Sequence, residues 1–137
     1  MTETSYTKLD VWQKSMDLVT SLYEATEDFP KEEIYALTNQ IRRAAVSIPS
    51  NIAEGRSKRG TREFMRFINI AAGSTAELDT QIRIAERLHY LATPRAASLL
   101  EEIAVIGRML NKLYSSLESK LGQTSPQPLA SNLQSLT

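Results

Sequence analysis

The chain has no cysteine and a single histidine, His89. Without thiols, disulfide scaffolds, thiolate zinc sites, iron–sulfur clusters and cysteine nucleophiles are excluded, and one imidazole per chain removes most multi-histidine metal sites. No stretch approaches the ~20 apolar residues that a membrane-spanning helix needs. The opening Met1-Thr2-Glu3-Thr4-Ser5-Tyr6 has neither the basic start nor the apolar run of a secretory signal, so a cytoplasmic protein with no membrane partner is expected. Net charge is also missing, because sixteen Lys and Arg balance sixteen Asp and Glu. Glycine and proline are sparse at five each in 137 residues, and 42% of the chain is hydrophobic, which argues against a disordered or collagen-like polymer. A chain of this length forms one domain and buries roughly two-thirds of its unfolded surface.

No segment keeps the strict alternation that a half-buried strand requires, whereas four segments repeat apolar residues at helical spacing. The chain therefore reads as all-α. The first helix is predicted to start after Thr7, with Asp10 completing a capping box, and to run through Trp12, Met16, Val19 and Tyr23 until Asp28-Phe29-Pro30. Pro30 suits the first turn of a second helix, where its missing N–H is no loss and Glu32 and Glu33 favour the positive dipole end. That helix places Ile34, Leu37, Ile41, Ala45, Ile48 and Ile52 on one face. Pro49 frees the carbonyl of Ala45 and is expected to kink the helix without ending it, since the apolar register resumes at Ile52. Gly55 fits a C-cap and Thr61 an N-cap around the loop Arg56-Ser57-Lys58-Arg59-Gly60.

The third helix carries the stripe Phe64, Phe67, Ala71, Ser74, Leu78, Ile82, Ala85 and Leu88. Its small run Ala71-Ala72-Gly73-Ser74 is expected to let a neighbouring backbone come close, with Gly73 at the contact. The fourth begins near Ala92-Thr93-Pro94 and shows Leu99, Ile103, Ile106, Leu110, Leu113 and Leu117 in a four-three rhythm. Such a seam packs at the shallow crossing of coiled coils and four-helix bundles, facing either its own core or a neighbouring subunit. After Gly122 the chain carries no charge and little periodicity. Residues 1–121 are thus expected to form the bundle, and 122–137 a disordered tail.

Charge is balanced overall but polarised along the chain. Through residue 33, three basic residues face eight acidic ones; from Arg42 to Arg66, seven basic residues (Arg42, Arg43, Arg56, Lys58, Arg59, Arg62 and Arg66) face only Glu54 and Glu63. Arg59, Arg62 and Arg66 recur at three and four residues and share a helix face. An antiparallel hairpin of helices two and three would bring Arg42 and Arg43 toward the same patch. Guanidinium forks match phosphate oxygens, and the amides of a helix start near Thr61 would add a further anion site, giving salt-sensitive, sequence-independent binding. The alternative is a solvated helix end whose cations pair with Glu54, Glu63 or acids of the first helix.

Other constellations point to less. Gly55 and Gly60 stand five apart before a helix, but no lysine followed by Ser or Thr comes after Gly60 and no strand leads in, so a nucleotide-hydrolysing phosphate loop is excluded. Glu86 and His89 have the Glu-x-x-His spacing of di-iron bundles, yet those sites need two such pairs and two further glutamates. Asn51, Glu54, Ser74 and Glu77 lie near the apolar stripes. Either they form a polar site at the kink, or Asn51 and Glu54 satisfy backbone groups freed by Pro49. No serine–histidine–acid set, cofactor site or metal site emerges, and the chain is expected not to be an enzyme.

The string Gln40…Arg42-Arg43-Ala44-Ala45…Ser47-Ile48…Asn51-Ile52-Ala53-Glu54-Gly55, followed by Gly73-Ser74…Glu77-Leu78, resembles the small four-helix-bundle proteins encoded in intervening sequences of bacterial large-subunit (23S) ribosomal RNA genes. The likeness covers roughly residues 8–120. It implies an antiparallel up-down-up-down four-helix bundle that assembles with itself into a homopentameric ring. The fold is also similar to that of the accessory protein of diversity-generating retroelements, a strongly basic barrel held to contact nucleic acid and the reverse transcriptase; this chain differs in having no net charge. The resemblance and the basic patch together lead to the expectation of a non-enzymatic oligomer that binds RNA or DNA through that patch. The alternative is a protein-interaction scaffold that partners an enzyme such as a reverse transcriptase without touching nucleic acid.

Overall fold

A computed structural model describes residues 6–124. A 3₁₀ turn at Tyr6–Lys8 leads into α1 (Asp10–Ala25), and a second 3₁₀ turn at Lys31–Glu33 precedes α2 (Leu37–Ser57). Then come α3 (Thr61–Arg87) and α4 (Thr93–Thr124), with no strand among the described residues. Each helix packs on its chain neighbours, and α4 returns to α1, so the four enclose one core. Leu18 and Leu22 of α1, Ile41, Ile48 and Ile52 of α2, Ile68, Leu78 and Ile82 of α3, and Leu99, Ile106 and Leu110 of α4 are buried there. Each such side chain contributes roughly 1.5–3 kcal/mol relative to an exposed one.

The α4 seam faces this core. Leu99, Ile103, Ile106, Leu110 and Leu117 are buried within the chain and Leu113 is half-buried, so the seam is not free for a neighbouring subunit. α3 buries a wider arc than the single predicted stripe, adding Met65, Ile68, Thr75 and Gln81, because it packs against both α2 and α4. Leu88, at its end, is exposed instead. α2 continues through Pro49 in the expected register, with Ile41, Ala45, Ile48, Pro49 and Ile52 all buried. α4 extends three residues beyond the expected bundle boundary of 121, and most of the expected tail lies outside the described residues.

The helix starts differ from the sequence reading. Thr7 falls in the 3₁₀ turn and Leu9 is the N-cap of α1, without a side-chain cap; Gln13 Nε2 instead donates to the Thr7 carbonyl at 2.9 Å. Pro30 leads into the 3₁₀ turn, and α2 begins only at Leu37, because Ala36 leaves helical geometry at φ −125° and ψ −109°. The late start is fixed by side chains. Glu33 Oε1 accepts the Leu37 N–H at 3.1 Å, its Oε2 accepts the Tyr90 hydroxyl at 2.8 Å, and Phe29 packs against Tyr90 with ring centroids 5.3 Å apart. Ile34 consequently leaves the core face, and Tyr35 beside it is 93% exposed.

Two glycines also change roles. Gly55 lies inside α2 and caps nothing; a Cβ there would stand 2.6 Å from Phe67 Cβ and 3.1 Å from the Phe64 ring, so this is where the backbone must come close. Gly73, expected at such a contact, faces open space.

Candidate nucleic-acid interface

The basic end of the molecule is built by the connection between α2 and α3. Arg56 lies in the last turn of α2, Lys58 is its C-cap, and Arg59 occupies the loop. Gly60, with φ 91°, is the N-cap of α3 in place of the expected Thr61, and no side chain caps that helix start. A positive φ suits glycine, which has no Cβ to strain there. Arg62 and Arg66 follow in the first two turns, both exposed.

Most of these cations have no acidic partner. Among the described residues the ion pairs are Arg66–Glu63 at 3.2 Å, Arg83–Asp79 at 2.9 Å and Arg108–Glu101 at 3.5 Å, and none involves Arg56, Lys58, Arg59 or Arg62. The Arg66 pair is exposed on both sides and contributes about 0.2–1 kcal/mol at most. Phe67 orders two of the cations: the Arg66 guanidinium lies 4.5 Å from its ring centroid and Lys58 Nζ lies 5.6 Å from it.

Arg42 and Arg43 do not join this group. Arg56 is thirteen residues beyond Arg43, or about 20 Å along α2. Arg42 is turned to α1, where its Nε donates to Thr26 Oγ1 at 2.9 Å and its Nη2 to the Tyr23 carbonyl at 3.2 Å, with the guanidinium 4.4 Å from the Tyr23 ring centroid. A cation bonded to the last carbonyls of a helix neutralises its negative end, so Arg42 serves as a structural cap of α1. Arg43 is exposed and lines a separate groove with Tyr23, Ile34, Thr38, Asn39 and Val46.

One member of the basic end was missed in the sequence. Lys120, near the end of α4, lines a groove of about 320 Å³ together with Arg56, Lys58, Gly60, Thr61, Phe64 and Leu117. The clue lay in the fourth helix, whose length carries Lys120 to the level of the loop.

The polar residues near Pro49 form a structural chain. Asn51 Nδ2 donates to the Ser47 carbonyl at 2.8 Å and to Ser47 Oγ at 3.0 Å, and Ser47 Oγ meets Ser74 Oγ at 2.8 Å, tying α2 to α3. The carbonyl that Asn51 satisfies is therefore that of Ser47 and not the Ala45 carbonyl that Pro49 frees. Glu54 is exposed and Glu77 Oε2 accepts from Gln81 Nε2 at 3.3 Å, so the four do not converge. His89 is exposed just past α3 at φ 64°, and among the described residues no cluster of three or more His, Cys, Asp or Glu could hold a metal ion. No described helix is long and apolar enough to cross a membrane.

The family model for the 23S rRNA-intervening sequence protein matches residues 7–112, which takes in α1 to α3 and most of α4. The chain belongs to this family. The shared fold extends to a solved structure, a protein of unknown function from the S23 ribosomal protein family of Bacteroides thetaiotaomicron. It has 21% identity to this chain and a TM-score of 0.71, and the match covers 77% of this chain and 95% of that one. No curated protein matches. Neither description attaches an enzymatic activity to the fold.

Proposed function

We propose that this member of the family is a cytoplasmic, non-enzymatic assembly protein that binds RNA through the basic end formed by Arg56, Lys58, Arg59, Arg62 and Arg66. The observation that carries this reading is the set of cations around one exposed loop, of which Arg56, Lys58, Arg59 and Arg62 have no acidic partner among the described residues. Desolvated phosphates can supply the missing counter-charge, and displacement of their condensed ions drives association. Among the described residues no acid of the first 33 pairs with that loop, so the zero net charge of the chain coexists with a local positive field.

In the same reading the helices run antiparallel, up-down-up-down, and copies of the chain assemble into a homopentameric ring. Gly55 against Phe67, and Ser47 against Ser74, support antiparallel pairing of α2 and α3. Ile70, Ile84 and Leu88 are each more than two-fifths exposed and fall on one side of α3 at near-heptad spacing, which supports a further contact there. A ring would repeat the basic end around its axis and raise affinity through multivalency.

Fluorescence polarisation of labelled single-stranded RNA and duplex DNA against the purified chain tests this, with salt varied and the mass in solution recorded alongside. Binding at micromolar or tighter levels that falls with salt and with Arg62→Glu is expected. An intact oligomer that binds neither at low salt would overturn it and leave a protein-binding scaffold as the reading.

A further inference from the structure

The groove beside the α3 start combines two kinds of surface. Arg56 enters it from α2, Lys58 from the C-cap position and Lys120 from α4, while Phe64 and Leu117 form an apolar floor. Phe64 is half-buried and set by the close approach of Gly55, since its ring occupies the space that a Cβ on residue 55 would need. Gly60 adds no side chain at the rim, and the first turn of α3 behind it has no side-chain cap. At about 320 Å³ the groove is at the small end of ligand sites, a size for one nucleotide-like group.

Resting on the RNA-binding reading above, we infer that this groove holds one nucleotide of single-stranded RNA. One phosphate sits among Arg56, Lys58 and Lys120, and the adjoining base lies against Phe64 and Leu117. Charge complementarity sets the occupant: three cations from three elements demand an anion, and none of them has an acidic partner among the described residues. The apolar floor beside them disfavours a bare inorganic anion, because such an ion would leave the half-buried Phe64 ring facing water. A nucleotide satisfies both halves. Only an unpaired strand can turn a base onto the ring; in a duplex the bases are stacked inward.

The test compares labelled oligouridine with an RNA duplex of equal length, titrated with the full chain and with its Lys120→Glu, Phe64→Leu, Arg62→Glu and Lys14→Glu variants. Thermal melts of each variant verify folding. Lys120→Glu is expected to weaken oligouridine binding about tenfold, and Phe64→Leu to weaken it fivefold or more while leaving duplex binding unchanged, in keeping with the usual worth of base–aromatic stacking. Lys14→Glu, on α1 and away from the groove, should bind as the parent does. If Lys120→Glu and Phe64→Leu both bind oligouridine like the parent while Arg62→Glu does not, the groove is overturned and the basic end survives. Equal loss of duplex and single-strand binding in Phe64→Leu would overturn the base contact, and absence of binding by every form would remove both readings together.

Discussion

Three residues show how local geometry decides a substitution's sign. His89 holds φ 64° at the end of α3, where its N–H bonds to the Glu86 carbonyl and that of Tyr90 to the Ala85 carbonyl, each at 2.9 Å. This is a C-terminal cap in which a glycine is usual, because a Cβ in the left-handed region costs about 1–2 kcal/mol. Part of that is offset by the larger unfolded-state entropy of glycine. His89→Gly is therefore expected to raise stability by about 0.5–1 kcal/mol, read from the urea midpoint at unchanged slope. Gly55 and Gly73 respond oppositely to the same change. Gly55→Ala drives a Cβ to 2.6 Å from Phe67 Cβ and should destabilise by about 1–3 kcal/mol, whereas Gly73→Ala meets open space and gains up to about 1 kcal/mol of helix propensity. Equal destabilisation in the two urea titrations would place a close neighbour at Gly73.

Elements were legible in the sequence where a wide apolar face fixed them and illegible where one polar contact did; the face of α1 was misplaced by one residue, since Val11, Ser15, Leu18 and Leu22 are buried while Met16 and Tyr23 of the expected stripe are exposed. The register of α2 through Pro49 and the α4 seam were readable because five or more buried residues repeat at helical spacing in each. The start of α2 was not, because it depends on Glu33, which caps Leu37 and receives the hydroxyl of Tyr90 from the turn after α3, a contact between residues 57 apart in sequence. Gly73 misled for a related reason: spacing puts it near small residues but does not show which side of α3 a neighbour takes. Of the candidate site, the loop and α3 cations were visible as a charge run, while the commitment of Arg42 to α1 and the arrival of Lys120 from α4 required the packed helices. The Glu33 contact has its own consequence. The hydrogen bond to Glu33, reinforced by desolvation and by the charges of Glu33 and Glu32, raises the Tyr90 hydroxyl above its ordinary value of 10.0. A raised folded-state value means that the contribution is complete below pH 10.0 and is lost as pH rises through the higher folded value. Parent stability should therefore fall more steeply than that of Tyr90→Phe as pH climbs above 10.0 in parallel chemical denaturations. Glu33→Ala, which removes both bonds, is expected to destabilise by about 1–3 kcal/mol.

The whole molecule joins a neutral chain to a charged end. Core packing of four helices accounts for the fold, and nothing in that packing requires Arg56, Lys58, Arg59 and Arg62 to crowd around one loop with no acidic partner among the described residues. Like charges so placed repel one another, so the arrangement lowers stability unless an anion is present. Nucleic acid should in turn stabilise the folded chain by mass action, seen as a rise in melting temperature that grows with oligonucleotide concentration and is absent in Arg59→Glu/Arg62→Glu. The most direct measurement is the slope of log Kobs against log salt for oligouridine, taken for the parent and for this double variant. Contact by the four unpaired cations of the basic end (Arg56, Lys58, Arg59 and Arg62) and by Lys120, with Arg66 held by Glu63, is expected to give a slope of about −3 to −4 per site, losing at least one unit for the two reversals. A salt-independent affinity, or a slope that the double variant leaves unchanged, would contradict phosphate recognition by the basic end.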